Sequence, residues 1–561
     1  MVQASPVTSP RCIVRFLPED RACEVEAGVE LYLAAAAAGI LLEQPCGSQA
    51  TCGRCRVRVI EGAPPPSDAE PSILTQPELE AGWRLGCQLV IESPSVIEIP
   101  VVTRSLAGKS FGDNLPPEAL DHPVVAPAPA VGRPRYGLAV DVGTTSLAAA
   151  LVSLTDGSVV ASSSSLNPQV AFGADVISRI RHTIDAPDGV AHLRDAVRTE
   201  LGALIGELRA EARCDAGQVV LAAVAGNPTM MHAWRGMPVA SLGRAPFEAA
   251  WSGVLTLEAE DVGLPINPDA SVLVFPLLRS HVGGDLAAAA VACGLDRPAE
   301  TRNQGARLLI DLGTNTELLL EHDGRLVTTS AAAGPAFEGG AIRHGMRGAP
   351  GAIDVVSISA GGCVRTHTIG GLPARGLCGS GLIDAVAELL RAGVVSASGY
   401  LRAPAEVGVG ALADRLSSID GQRAFALVER DDTADAGPVT LTARDIREVQ
   451  LAKGSILAAA TLLCQHAGLS PEDLREVLIA GAFGNYIRKA SALRIGLLPP
   501  LDPERVRFVG NAAGVGARLA LVDSRVIERA GALAARAEYV DLAGHAGYQS
   551  TFMAALAFPE H

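Results

Sequence analysis

The same turn is written twice into this chain, and that repetition restricts the fold more than any other feature. YGLAVDVGTTSLAAALVSL, from Tyr136, reads as an apolar strand, an acidic turn with glycine and two threonines, and a second strand. ARLLIDLGTNTELLLE, from Ala306, reads the same way. Asp141, Gly143, Thr144 and Thr145 of the first run correspond to Asp311, Gly313, Thr314 and Asn315 of the second, 170 residues later by their numbers. One such turn is a weak signal, but two in register point to an internally duplicated fold in which the hairpins clamp a phosphate-bearing ligand from both sides. Backbone N–H groups and hydroxyls at such turns hold phosphate oxygens, and the aspartates hold Mg²⁺ through water.

The N-terminal segment carries a different chemistry. Cys46, Cys52, Cys55 and Cys87 are spaced C-x5-C-x2-C-x31-C, three of them on the run CGSQATCGRC and the fourth in WRLGCQ. Iron–sulfur ligation needs soft thiolates on a loop tight enough to wrap two irons, with a remote cysteine closing the set. The spacing is similar to that of adrenodoxin-like [2Fe–2S] ferredoxins. A zinc knuckle would present two C-x2-C pairs where one exists, and a disulfide framework does not suit a long chain in which no secretory signal is read. The four cysteines are therefore the expected ligands of a [2Fe–2S] cluster. RCIVRF and ACEVEAG read as a hairpin, VELYLAAAAAGI as a helix, and CRVRVIEG and LVIESPSVIEIPV as further strands. This order resembles the β-grasp ferredoxin fold over roughly residues 10–102. The apolar stretch from Leu31 to Leu42 is too short to span a bilayer and is read as the helix of that fold.

A chain of 561 residues with 48% apolar and 19% charged residues has ample material for several buried cores. A formal charge of −15 argues against a nucleic-acid binder, which needs clustered Lys and Arg. No run approaches the length of a membrane helix, and the remaining cysteines are scattered singly, so a reducing cytoplasm is the expected compartment. From Thr103 to Pro134 apolar periodicity gives way to proline, alanine and glycine, which reads as a linker able to carry the N-terminal domain over tens of ångströms. The expected fold is thus an α+β ferredoxin-like domain over 1–102, a linker over 103–134, and a duplicated α/β fold whose halves are 135–305 and 306–561.

The duplicated part resembles the ASKHA superfamily of actin, sugar kinases and heat-shock chaperones, with DVGTT and DLGTN as its two phosphate motifs. VLIAGAFGNYI, from Val477, looks like the adenosine motif, with Gly481 and Gly484 as the positions where backbone approaches the nucleotide. VGNAAGVGARLA, from Val509, is similar to the glycine–alanine helix at the hinge between the lobes. More specific are AGNPTMMH, VGGDLAAA, SAAAGPAFEGGAIRHGM, GLCGSGLIDAVAELL, DIREVQLAKGSI and NPQVAFGADVISRI. Together they resemble the activators of corrinoid proteins, in which a [2Fe–2S] ferredoxin module is fused to an ASKHA ATPase.

That resemblance implies one-electron reduction of Co(II) to Co(I) in a methyltransferase corrinoid protein, coupled to ATP and Mg²⁺. It implies two partners, the corrinoid protein and a reductase that feeds the cluster, and makes a homodimer reasonable. Asp141 and Asp311 are the candidates for organising Mg²⁺ and the attacking water, with the choice of base left open. Thr144, Thr145, Thr314 and Asn315 are the phosphate contacts, with Gly143 and Gly313 in the turns. Glu338, between the glycines of GPAFEGG, is a further catalytic candidate, and Ser380, in CGSG, a candidate contact to phosphate or to a partner's cofactor. His232, Cys378, Cys12 and Cys23 are read as packed residues. Two other readings fit an ATPase of this superfamily: an activator of a radical dehydratase, and a small-molecule kinase with an appended ferredoxin.

Overall fold

The computed structural model describes residues 11–17, 21–31, 34–35, 38, 40, 50, 55–99, 111–112, 120–124, 133–173, 175–297, 305–313, 315–429, 433, 437–481 and 487–560. Two six-stranded sheets dominate them, and each is assembled in the same way. In the first, Tyr136–Val142, Ser146–Ser153 and Val159–Leu166 form an antiparallel meander, and Val219–Gly226 lies parallel to its first strand. In the second, Ala306–Asp311, Thr316–His322 and Arg325–Ala331 form the meander and Leu474–Ala480 is the parallel neighbour. A further parallel strand follows in each, Ser271–Val274 and Val506–Gly510. The register repeats as well, with Asp141 opposite Ala225 and Asp311 opposite Ala480. Both first strands are buried along almost their whole length, as expected where helices cover both faces of a sheet.

The two sheets meet through a pair of small-residue helices, Gly284–Ala292 and Ala512–Val522. A Cβ on Gly516 would collide with the Ala288 carbonyl, so glycine permits a backbone-to-backbone crossing. One core runs beneath them, drawing Ala139 and Ala150 from the first sheet and Leu309, Leu319 and Leu478 from the second. The second half carries two additional three-stranded sheets, Val364–Thr368 with Ala352–Ile358 and Gly376–Leu377, and Leu416–Ile419 with Gln422–Val428 and Val439–Thr442. Helices Gly379–Arg391 and Ala443–His466 pack these against the main sheet.

The N-terminal sheet has the order Arg21–Glu26, Arg11–Leu17, Ser95–Glu98, Arg56–Glu61, Trp83–Leu85, with a parallel pair at its centre. This mixed sheet agrees with the expected β-grasp arrangement. Leu31, Ala34 and Ala35 are buried in its core, whereas the rest of the helix expected over Leu31–Leu42 lies mostly outside the described residues. The strand Trp83–Leu85 leads into Cys87, in agreement with the strand expected at WRLGCQ.

The linker departs from its expectation. Phe111 is 2% exposed and packs beneath Gly514 in the core shared by the two halves. The buried Arg518 guanidinium donates to the carbonyls of Phe111, at 3.2 Å, and of Gly112. Ser524 N donates to His122 O at 2.8 Å. A segment read as free from Thr103 to Pro134 is therefore pinned partway along. Among the described residues no helix is long and apolar enough to cross a membrane.

Candidate functional site

Where the two hairpins face each other, a cleft is lined from the first by Asp141, Gly143, Thr144 and Thr145 and from the second by Asp311, Gly313 and Asn315. Glu338 and Gly481 line it too. Thr314 and Gly484 lie outside the described residues. Ser380 does not line the cleft; it is buried in the first turn of Gly379–Arg391, its hydroxyl 3.4 Å from Cys378 Sγ.

Each turn is shaped by its own sequence. Gly143 N donates to Ser146 O at 3.1 Å, and Asn167 holds the turn from behind, donating from its backbone to Thr145 O and from Nδ2 to Gly143 O, both at 2.9 Å. Asn227 caps the helix Pro228–Arg235, accepting from Met230 N at 3.0 Å, and its Nδ2 donates to Thr144 Oγ1 at 2.8 Å. In the second turn Thr316 Oγ1 donates to Gly313 O at 3.2 Å. Gly481 has φ +102°, and a Cβ there would collide with the Leu312 carbonyl and sit 3.1 Å from Asp311 Oδ1, so the chain after Ala480 approaches the second turn as only glycine allows. Across the cleft, the Thr145 hydroxyl donates to the Glu338 carboxylate.

Asp285 and Glu317, two acids not singled out in the sequence, complete the site. Asp285 opens the helix Gly284–Ala292, and Glu317 stands on Thr316–His322, where Oε2 accepts from Gly283 N at 3.2 Å. Burial and the neighbouring charges of Asp311 and Asp141 push the Asp285 carboxyl up to about 7. Burial, with Asp285 and Asp311 nearby, pushes Glu317 well above the usual carboxylate range, so the two acids titrate as a pair rather than separately. The hairpin repeat could have exposed Glu317, because the aligned position in the first hairpin is Leu147, an apolar residue suited to a buried strand. Asp285 lies in VGGDLAAA, a segment that carries the family resemblance, but nothing local singles out its acid.

The donor set suits Mg-nucleotide. Asp141 and Asp311 supply acidic groups, the turns supply hydroxyls, and Asn511 Nδ2 is buried in the cleft wall with no partner among the described residues, a donor left for a ligand oxygen. No group of three acidic, histidine or cysteine side chains among the described residues is arranged to bind a metal directly.

Removing the raised acid should be visible without any ligand. A carboxyl whose folded value lies above its ordinary value near 4 keeps a proton that the unfolded chain has released, so stability is lost as pH rises from about 4 to about 7. The full shift corresponds to about 4 kcal/mol, and water on the cleft side should leave roughly half of it. Asp285→Asn is expected to melt higher than the parent at pH 8 and alike at pH 4; equal melting at both would show that Asp285 ionises normally.

In the N-terminal domain only Cys55 and Cys87 of the four cysteines are described; Cys46 and Cys52 lie outside the described residues. Both are buried in one small apolar cluster with Leu74, Leu79 and Leu85, and Gly86 N donates to Cys55 O at 2.7 Å. The loop before Cys87 is fixed by polar groups. Glu70 accepts from Leu85 N at 2.6 Å and from Ser67 N at 2.7 Å, and the buried Arg84 donates to Pro64 O and Leu79 O. Two converging, sheltered sulfurs fit the cluster chemistry. His232 bonds Pro228 O through Nδ1 and Ala250 N through Nε2 and stacks on Trp251, so it is a packed residue.

Three family models match the chain: the 2Fe-2S iron-sulfur cluster binding domain over residues 14–92, the RACo middle region over 136–298, and the C-terminal domain of RACo, the ASKHA domain, over 305–561. The corrinoid activation enzyme RamQ of Eubacterium limosum is 35% identical over 422 residues, 75% of this chain and 70% of that one. A reductase of Methanosarcina barkeri, specific for the Co(II) methylated-amine corrinoid protein, is 25% identical over 423 residues, 70% of this chain and 71% of that one. A solved structure titled as the reductive activator for a corrinoid, iron-sulfur protein superposes with a TM-score of 0.70 at 29% identity, covering 98% of each chain.

Proposed function

The chain belongs to the family of corrinoid activation enzymes, and we propose that within it this protein returns the cobalt of a corrinoid methyltransferase protein from Co(II) to Co(I), one electron at a time, at the expense of ATP. The observation that carries this reading is the cleft in which Asp141 and Asp311 stand at the C-terminal ends of two matched strands, in a chain that also brings Cys55 and Cys87 together. Cys46, Cys52, Cys55 and Cys87 would hold the [2Fe–2S] cluster, which supplies single electrons received from a separate reductase.

The coupling has an energetic rationale. Co(I) is a strong reductant, and a cluster near −400 mV would pass electrons uphill. A deficit of roughly 0.15 V costs about 3.5 kcal/mol for one electron, within reach of ATP if nucleotide state changes how the protein grips its partner. In the cleft, Asp141 and Asp311 would hold hydrated Mg²⁺, the Thr144 hydroxyl, oriented by Asn227, and that of Thr145 would hold phosphate oxygens, and Asn511 would donate to a further oxygen. Asp285, with its carboxyl near 7 and Glu317 titrating with it, is suited to take a proton from the attacking water.

The test is an anaerobic optical titration of the reduced protein with a Co(II) corrinoid methyltransferase protein, with and without Mg-ATP. The Co(I) band should appear only with Mg-ATP; its absence with an intact cluster and several corrinoid proteins would overturn the reading.

A further inference from the structure

Glu338 and the wholly buried Arg179 form an arrangement that nucleotide hydrolysis alone does not require. Arg179 lies behind the first phosphate turn, on the helix Val176–Asp185. Its Nε donates to Gly173 O at 2.9 Å, and its Nη1 donates to Gln169 Oε1 at 3.1 Å and reaches Met230 Sδ at 3.2 Å. Gln169 adjoins Asn167, which holds Gly143 O, so the guanidinium is built into the support of the turn. Among the described residues its Nη2 is buried without a partner. A buried guanidinium nitrogen left unpaired is costly and is a place where an anion is expected. The nearby carboxylates are Asp175, whose Oδ1 accepts from Ser178 N at the start of the same helix, and Glu338, which accepts from the Thr145 hydroxyl.

We propose that Glu338 is displaced by the terminal phosphate of ATP: the phosphate takes the Thr145 hydroxyl, and the carboxylate passes to the unpaired Nη2 of Arg179. The inference rests on the cleft being an ATP site. With ADP, which lacks that phosphate, Glu338 stays on Thr145. The loop that follows is folded tightly on itself. Gly339 has φ +82° and Ala341 +62°, and Gly345 is packed so closely on the Gly339 carbonyl that a Cβ would collide with it. Its far side, Ala341, Ile342 and Arg343, borders a surface groove shared with Asp420 and Arg444, where Arg343 pairs with Asp420 at 2.7 Å. Nucleotide identity read at Thr145 is thereby delivered to the protein surface about a loop's length away.

Arg179→Met tests this. Affinities for Mg-ADP and a non-hydrolysable Mg-ATP analogue would be measured by calorimetry, together with hydrogen exchange of residues 338–346 in each state. The wild type should exchange this loop differently with the two nucleotides. In R179M the preference for the ATP analogue over ADP should fall by about tenfold, beyond any loss of affinity common to both nucleotides, and the difference in exchange should vanish. Arg347, exposed beyond the same loop and close enough for its charge to act on Arg179, is the other cation nearby, and Arg347→Ala should keep both readouts. If R179M fails to fold, Arg179→Lys, which keeps the charge but not the forked nitrogens, should lower the preference in the same way. Retention of preference and exchange difference in the Arg179 variants, or their loss in R347A, would overturn the switch. Absence of binding of either nucleotide to the wild type would overturn the ATP reading itself.

Discussion

Asp311→Ala is expected to lower ATP turnover by about a thousandfold and to leave no ATP-dependent Co(I) formation, while the visible spectrum of the cluster stays that of the parent. Asp311 ends Ala306–Asp311 opposite Ala480, and Gly481 packs directly against its carboxylate, so no neighbour can move in to replace it. Asp141, Asp285 and Glu317 would remain, but they lie on other elements. The check is phosphate release from Mg-ATP alongside the anaerobic Co(I) titration. Turnover within tenfold of the parent would remove Asp311 from the catalytic set and transfer its role to Asp141 or Asp285.

Cys87→Ser should have the complementary effect. An alkoxide is a poorer ligand for iron than a thiolate, and Cys87 is the distant member of the four, held by a loop that Glu70 and Arg84 fix in place. Loss or severe depletion of the cluster is expected, with reduction of corrinoid protein below detection and Mg-ATP affinity within about twofold of the parent. EPR of the reduced protein and calorimetry with nucleotide would separate the two. Full reductive activity in C87S would mean that electrons do not pass through these cysteines.

The duplicated core was legible because a repeat needs no tertiary knowledge: two apolar strands ending in DxGT announce themselves, and the observed registers of Asp141 and Asp311 match. What escaped were contributions that only the crossing of distant elements reveals. Asp285 enters the site because Gly284–Ala292 packs on Ala512–Val522, and Asn227 gains its meaning from a bond to Thr144, 83 residues earlier. Glu338 was noticed for the glycines around it, yet its contact with Thr145 spans 193 residues. The linker was misjudged for the same reason. Its composition reads as free chain, and nothing local shows that Arg518, 407 residues on, grips the Phe111 carbonyl.

That grip sets a leash. Only residues 100–110 separate Ile99, on the N-terminal domain, from anchored Phe111, and the twelve Cα–Cα steps between them cannot exceed about 40 Å. The exposed ion pair from Arg365 to Glu26, worth about 0–1 kcal/mol, adds little restraint. A domain confined to a sphere of that radius has an effective concentration of order millimolar at any acceptor within it. Once a corrinoid protein is docked on the ATPase part, delivery of the electron would be a search within one complex, and lengthening the segment before Phe111 would slow that step by geometry alone.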